Sequence, residues 1–347
     1  MPILDPSIGV TSPINKLPND VLFFIFSINA DMTDESPQCW DDKKLPYRAL
    51  HVTRHTSQVS KYWRTLVLES PTIWARIIDL ELFRPSLESW REEVLRRCGK
   101  CLLSVKGLSS FERDSVFTDK DTFIEFFFTF WDQIKNLHVE VAYANLVDDE
   151  TWLRILCRPA KFLCSFNLQL RYDDDAIHQL FPSSHNSDAT LFSNVAPALR
   201  RFYHEPTTSI SALRAPWLPQ LRVLELKFTL SQGPRPTTLQ VLDLLENLHI
   251  LEVLKISAGY YSLSSSTDKR LRPIELPRLH RLGIDCTRLG DCVYFLDHIT
   301  PYQKCTLFLY SKGFMFEPPD EKSIEKLASL AEHFSIYAKA QIGRAHV

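Results

Sequence analysis

Between residues 134 and 284 one apolar frame keeps returning: an apolar residue, two free positions, a second apolar residue, one free position and a third. It is seen in Leu163-x-x-Phe166-x-Leu168, Leu221-x-x-Leu224-x-Leu226, Leu251-x-x-Leu254-x-Ile256 and Leu279-x-x-Leu282-x-Ile284. Leu199-x-x-Phe202 keeps the frame with His204 in the third place, and Ile134-x-x-Leu137-x-Val139 is a less regular copy. Side chains of a strand alternate faces, so the second and third apolar positions of each copy predict a short strand with one buried side. Pro159, Pro197, Pro219 and Pro277 stand just before four of the copies. Between copies the period changes. Thr238 to Leu248 carries Leu239, Leu242 and Leu245 at helical spacing, and Ser89 to Arg97 and Asp121 to Phe130 read the same way.

The copies start roughly 20 to 40 residues apart, the frame and period of leucine-rich repeats, whose neighbouring units stack into one core. Unequal spacing predicts an irregular β/α solenoid. Its outward strand positions, including Ser165, Asn167, Val223 and Val253, would form a concave face. Arg201, Tyr203, Glu225, Lys227, Lys255, Arg281 and Asp285 are the candidate client-binding residues on it. After Pro318-Pro319, Ser323 to Lys339 places Ile324, Leu327, Leu330 and Phe334 at helical spacing. That predicts a last amphipathic helix closing the open end of the core.

The N-terminal pattern is different. In Leu17-Pro18-Asn19-Asp20-Val21-Leu22-Phe23-Phe24-Ile25-Phe26, residues Val21, Leu22, Ile25 and Ile28 fall three and four apart, one helical face. Pro18 suits the first helical position, where no N–H is needed. So short a helix is stable only when packed. A second segment runs from Thr56 to Leu68, with Ser57 as the expected N-cap and Val59, Trp63, Leu66 and Val67 on one stripe. Ser70-Pro71 stops it, and Ile73-Trp74 follows.

Taken in order, Leu-Pro-x-Asp-Val-Leu-x-x-Ile-Phe from Leu17, Val-Ser-x-x-Trp-Arg-x-Leu from Val59 and Pro-x-x-Trp from Pro71 resemble the F-box. The similarity covers Ile14 to Ile78, and Ser89 to Arg97 resembles the first repeat after the F-box in fungal-type F-box-like proteins. The resemblance implies a three-helix unit docked on the Skp-type adaptor of a cullin ubiquitin ligase. Its anchors would be Leu17, Pro18, Val21, Leu22, Ile25, Val59 and Trp63. The chain departs from the family in the longer, acidic stretch 31–48.

Composition narrows the remaining choices. A net charge of −2 over 347 residues gives no electrostatic ground for nucleic acid or an anionic membrane as partner. Nine glycines are few for phosphate-cradling loops, and no nucleotide, hydrolase or zinc-protease motif is present. No apolar run is long enough to span a bilayer, and Met1 to Lys16 does not read as a secretory signal. Eight cysteines without such a signal predict free thiols in a reducing compartment. Cys98-x-x-Cys101 lacks the second pair that a zinc site needs. Asp173-Asp174-Asp175 reads as a solvated loop, and His51 with His55 as an exposed helix face.

The expected fold class is therefore α/β. It comprises a lead-in (1–13), a three-helix F-box-like unit (14–84), a leucine-rich-repeat-like solenoid (85–317), a capping helix (318–340) and a patternless tail (341–347). The expected role is a client receptor in the cytoplasm or nucleus, binding the adaptor and a protein client, without catalysis, cofactor or metal. Two other classes stay open: a scaffold of the same fold that binds no adaptor, and an enzyme hidden in an irregular α/β fold.

Overall fold

The computed structural model describes residues 13–31, 49–110, 119–142, 144, 147–170, 190–204, 215–228, 238–257, 273–285, 289–301, 305–311, 321, 325–326, 329 and 334–340. Nearly all of the lead-in and of the acidic stretch, the carboxylates at 173–175, Cys39, Cys286 and the tail lie outside the described residues.

Four short helices come first: α1 (Asn19–Asn29), α2 (Ala49–Thr56), α3 (Lys61–Leu68) and α4 (Pro71–Trp74). Pro18 stands at the N-cap of α1, one position earlier than expected. Its backbone is extended (φ −56°, ψ 153°), and its carbonyl accepts the Leu22 N–H at 3.1 Å. Ser57 does not cap α3. Its Oγ donates to the Arg54 carbonyl at 2.7 Å, at the end of α2. The chain turns through Ser57, Gln58 and Val59, so Ser60 is the residue with extended backbone before α3. Its Oγ accepts the Trp63 N–H at 3.1 Å. Val59 consequently lies on the turn rather than in the helix.

Trp74 joins these helices to the rest of the molecule. Its ring is buried, and Nε1 donates to the Val67 carbonyl at 2.8 Å. Trp90 of α5 (Glu88–Cys98) meets it edge-on at 5.8 Å. The Arg97 guanidinium sits 5.5 Å from its ring centroid and donates to the Leu68 carbonyl at 3.1 Å. One residue further, the Ala75 carbonyl accepts the Ser104 N–H at 2.8 Å, so the helices lead directly into the sheet.

The fold is mixed α/β, and the described residues form a ten-stranded sheet in which all pairings are parallel and strand order follows chain order. Its strands are β1 (Ile78–Asp79), β2 (Leu103–Ser110), β3 (Ile134–Ala142), β4 (Ser165–Leu170), β5 (Arg201–His204), β6 (Val223–Lys227), β7 (Val253–Ser257), β9 (Arg281–Asp285), β11 (Cys305–Ser311) and β12 (Phe334–Ala340). β8 (Ile274–Leu276) and β10 (Ile299–Pro301) make a small parallel pair of their own. The six sequence frames become β3, β4, β5, β6, β7 and β9, and their apolar positions fall in register. Val105, Leu137, Phe166, Phe202, Leu224, Leu254, Leu282 and Leu307 form one continuous row. Leu226, Ile256, Ile284 and Leu309 form the next.

The connecting helices α6 (Lys120–Phe130), α7 (Asp149–Leu156), α8 (Thr238–Leu245) and α9 (Leu289–Leu296) accompany these strands. Phe123, Phe127, Trp152, Val241 and Phe295 bury into the same apolar cluster, which runs from Leu22 to Phe334. Between β4 and β5 the ladder shrinks to two pairs, Ser165 with Arg201 and Phe166 with Phe202. There Phe192 fills the core, 5.1 Å from Phe166 and 5.6 Å from Trp217. It gets there on a left-handed turn, with positive φ at Phe192, Ser193 and Asn194.

The C-terminal helix expected over Ser323 to Lys339 is corrected. Glu325, Lys326 and Ser329 are helical, but Phe334–Ala340 is β12, paired along its whole length with β11. Phe334, Ile336 and Ala338 alternate at period two, and the open ladder edge of β11 takes up their backbone groups. The sheet is extended by a strand at this end.

Candidate functional site

Two surfaces stand out. The first lies on the N-terminal helices. Inside, Leu22 and Phe26 are buried, and the Phe26 ring packs 4.9 Å from that of Trp63. Outside, α1 shows water an apolar stripe: Val21 is 38 % exposed, Phe24 65 % and Ile28 58 %. Leu17 and Ile25 are half-buried beside it. Val59 is 63 % exposed on the turn before α3, and Tyr62 is exposed on α3 itself. Of the ten large apolar side chains exposed among the described residues, six lie between Ile14 and Tyr62.

The expected anchors therefore divide. Leu17, Pro18, Val21, Ile25 and Val59 reach the surface. Leu22 is a correction: it points into the chain's own core, because it follows Pro18 by one full turn on the face that meets Phe26. Trp63 is half-buried and braces Phe26. Phe24, Ile28 and Tyr62 were missing from the expected set. Phasing from Val21 by three and seven positions would have picked out the first two.

The second surface is the sheet face opposite the apolar rows. Lys106, His138, Asn167, Tyr203, Glu225, Lys255, Gly283 and Phe308 belong to successive strands of this face. Lys255 and Glu225 form an ion pair at 2.5 Å, and the Arg281 guanidinium lies 5.6 Å from the Phe308 ring. Lys227 is half-buried. Tyr203 and Asp285 are corrections to the outward set. Both are buried, and Asp285 accepts the Ser257 hydroxyl at 3.0 Å.

Where β2, β3, β4 and β5 begin, this face opens into a cleft of about 590 Å³. Arg76, Lys106, Lys135, Arg200 and Arg201 line it, and among the described residues Asp31 is the one carboxylate on its wall. At its floor Asn136 Nδ2 donates to Ser104 Oγ at 2.9 Å, and His138 Nε2 shares a 2.8 Å hydrogen bond with Ser165 Oγ. Burial, followed by the charges of Lys106 and Arg201, pushes the His138 pKa down to about 4. At neutral pH the imidazole is uncharged.

Cys98 is buried, donates to the Val94 carbonyl, and has its pKa pushed up to about 12, mainly by burial. Among the described residues no group of His, Cys, Asp and Glu side chains is arranged to hold a metal ion. No described helix is long and apolar enough to cross a membrane. No protein-family model matches the chain, and no curated protein matches it significantly. The molecule is thus a mixed α/β protein with a chain-ordered parallel sheet, an exposed apolar helix face and a basic cleft.

Proposed function

We propose that this chain is the client-recognition subunit of a Skp–cullin–F-box ubiquitin ligase. In this reading α1 to α4 form an F-box-like unit that docks on the Skp-type adaptor, and the remainder is an irregular leucine-rich-repeat solenoid that holds a protein client. The observation that carries it is the stripe Val21, Phe24 and Ile28, apolar and wet, on a helix whose opposite face is already packed. Clustered exposed apolar residues of this kind mark an interaction surface. Covering each large side chain contributes about 1.5–3 kcal/mol, so a few of them offset the cost of association. The client would meet Arg201, Glu225, Lys255 and Arg281 on the sheet face, where each stays at least partly exposed. Such a receptor works in the cytoplasm or nucleus and asks no catalysis, cofactor or metal of its own residues.

The test is binding of the full chain to purified Skp-type adaptor, with wild type beside a Phe24→Asp, Ile28→Asp double variant. The proposal expects a stable complex with the wild type and loss of binding with a variant that keeps its circular dichroism spectrum. A folded wild-type chain that ignores the adaptor would sink the ligase reading and leave a scaffold with another partner.

A further inference from the structure

We infer that the cleft at the start of β2 to β5 is a binding site for a phosphate-ester dianion. Its five cations come from four separate places in the chain: Arg76 after α4, Lys106 on β2, Lys135 on β3, and the adjacent Arg200 and Arg201 at the start of β5. Elsewhere on this side of the molecule two cations are matched by carboxylates, Lys255 by Glu225 and Arg222 by Glu252. Among the described residues, Arg76, Lys135, Arg200 and Arg201 form no ion pair. Like charges gathered around one concavity raise its potential and draw in an anion.

The uncharged groups suit the same ligand. Ser104 Oγ accepts from Asn136, which leaves its own O–H to be given away. Ser165 sits at the cleft wall with its hydroxyl held by His138. The Arg200 guanidinium is fixed by donating to the Pro197 and Leu199 carbonyls at 3.1 and 2.9 Å. Donors that converge from several directions match the three oxygens and near-double charge of a phosphate ester better than a planar, singly charged carboxylate. A nucleic acid would need a basic track along the molecule, whereas the net charge is −2 and the basic residues meet at one cleft. This site stands whether or not the helices engage an adaptor.

The test is titration calorimetry of the full chain at low salt with two probes: inorganic pyrophosphate, and a short glycine-flanked phosphoserine peptide with its unphosphorylated twin. Lys135→Gln and Arg201→Gln are the cleft variants, and Arg278→Gln, an exposed cation outside the cleft, is the control. Lys135 and Arg201 are exposed, so their replacement leaves the core intact. Saturable binding is expected, weakened about tenfold or more by each cleft variant, hardly changed by Arg278→Gln, and reduced by added salt. Tighter binding of the phosphopeptide would identify a phosphorylated protein as the source, and tighter binding of pyrophosphate a soluble phosphate compound. Either order supports the site. Failure of both probes to saturate at millimolar concentration, or equal weakening by Arg278→Gln, overturns it.

Discussion

Replacing Trp74 is expected to loosen the helices and the sheet together. The indole is 1 % exposed, hydrogen-bonds the Val67 carbonyl, meets Trp90 edge-on and carries the Arg97 guanidinium over its ring. Truncating a buried Trp to Ala costs about 3–5 kcal/mol from lost transfer energy and the cavity. The upper part of that range applies here, because the aromatic pair and the cation contact are lost as well. Trp74→Phe is a milder change. The Val67 carbonyl keeps the Ser70 N–H at 3.2 Å, so no acceptor is orphaned. The expected cost is about 1–2 kcal/mol. In urea, with an m-value of about 3 kcal/mol/M, Trp74→Ala should lower the midpoint by about 1.5 M. Far-UV circular dichroism follows the transition, and hydrogen exchange reads the amides of α3 and β2 separately. Both sets should lose protection in step. A midpoint shift below about 0.3 M, or loss of protection confined to α3, would refute the reasoning that Trp74 is the shared joint.

Other expectations are more local. Ser60→Ala removes the cap of α3 and should destabilise the chain by about 1 kcal/mol in the same urea assay, while Ser57→Ala should leave α3 capped. His138 has a folded pKa of about 4 against an ordinary 6.5. Above pH 6.5 it is neutral folded or unfolded. As pH falls from there to 4 the unfolded chain takes up the proton first, so up to about 3 kcal/mol of stability is lost, and His138→Gln should flatten that part of a stability–pH curve. Gly107 has φ +135°, and a Cβ there would meet Leu80 at 3.1 Å and Asp79 Oδ1 at 3.2 Å. Gly107→Ala should therefore cost about 1–3 kcal/mol, read from the melting temperature. Cys98 and Cys305, both with pKa pushed up to about 12 mainly by burial, should resist iodoacetamide at pH 8 until the chain unfolds, as followed by mass spectrometry.

The middle of the sheet was legible because the frame reports register as well as strand position. Phe166, Phe202, Leu224, Leu254 and Leu282 hold the same place in their copies and the same row in the sheet. The outer strands escaped because their frames are broken. Gly107 stands in the third apolar place of β2, Lys304 in the first place before β11 and His333 in the first place before β12. Phe334 fits both a helical and an alternating pattern, and only the free ladder edge of β11 decides between them. On α1, spacing correctly marked an apolar helix but did not say which of two apolar faces the chain keeps for itself. The basic cleft had no sequence signal at all, since Arg76, Lys106, Lys135 and Arg201 meet only through the register of neighbouring strands.

The agreement between strand order and chain order has a consequence for assembly. Each strand pairs with the one made shortly before it, so sheet growth needs only modest loop closures and can advance during synthesis, strand by strand. At every stage the newest strand is a bare parallel edge, the feature most prone to capture another chain. The slowest moment should come at β5, where two backbone pairs give little hold and docking waits for Phe192, Phe202 and Trp217 to close around Phe166. A nascent chain paused there would be the one most in need of a chaperone.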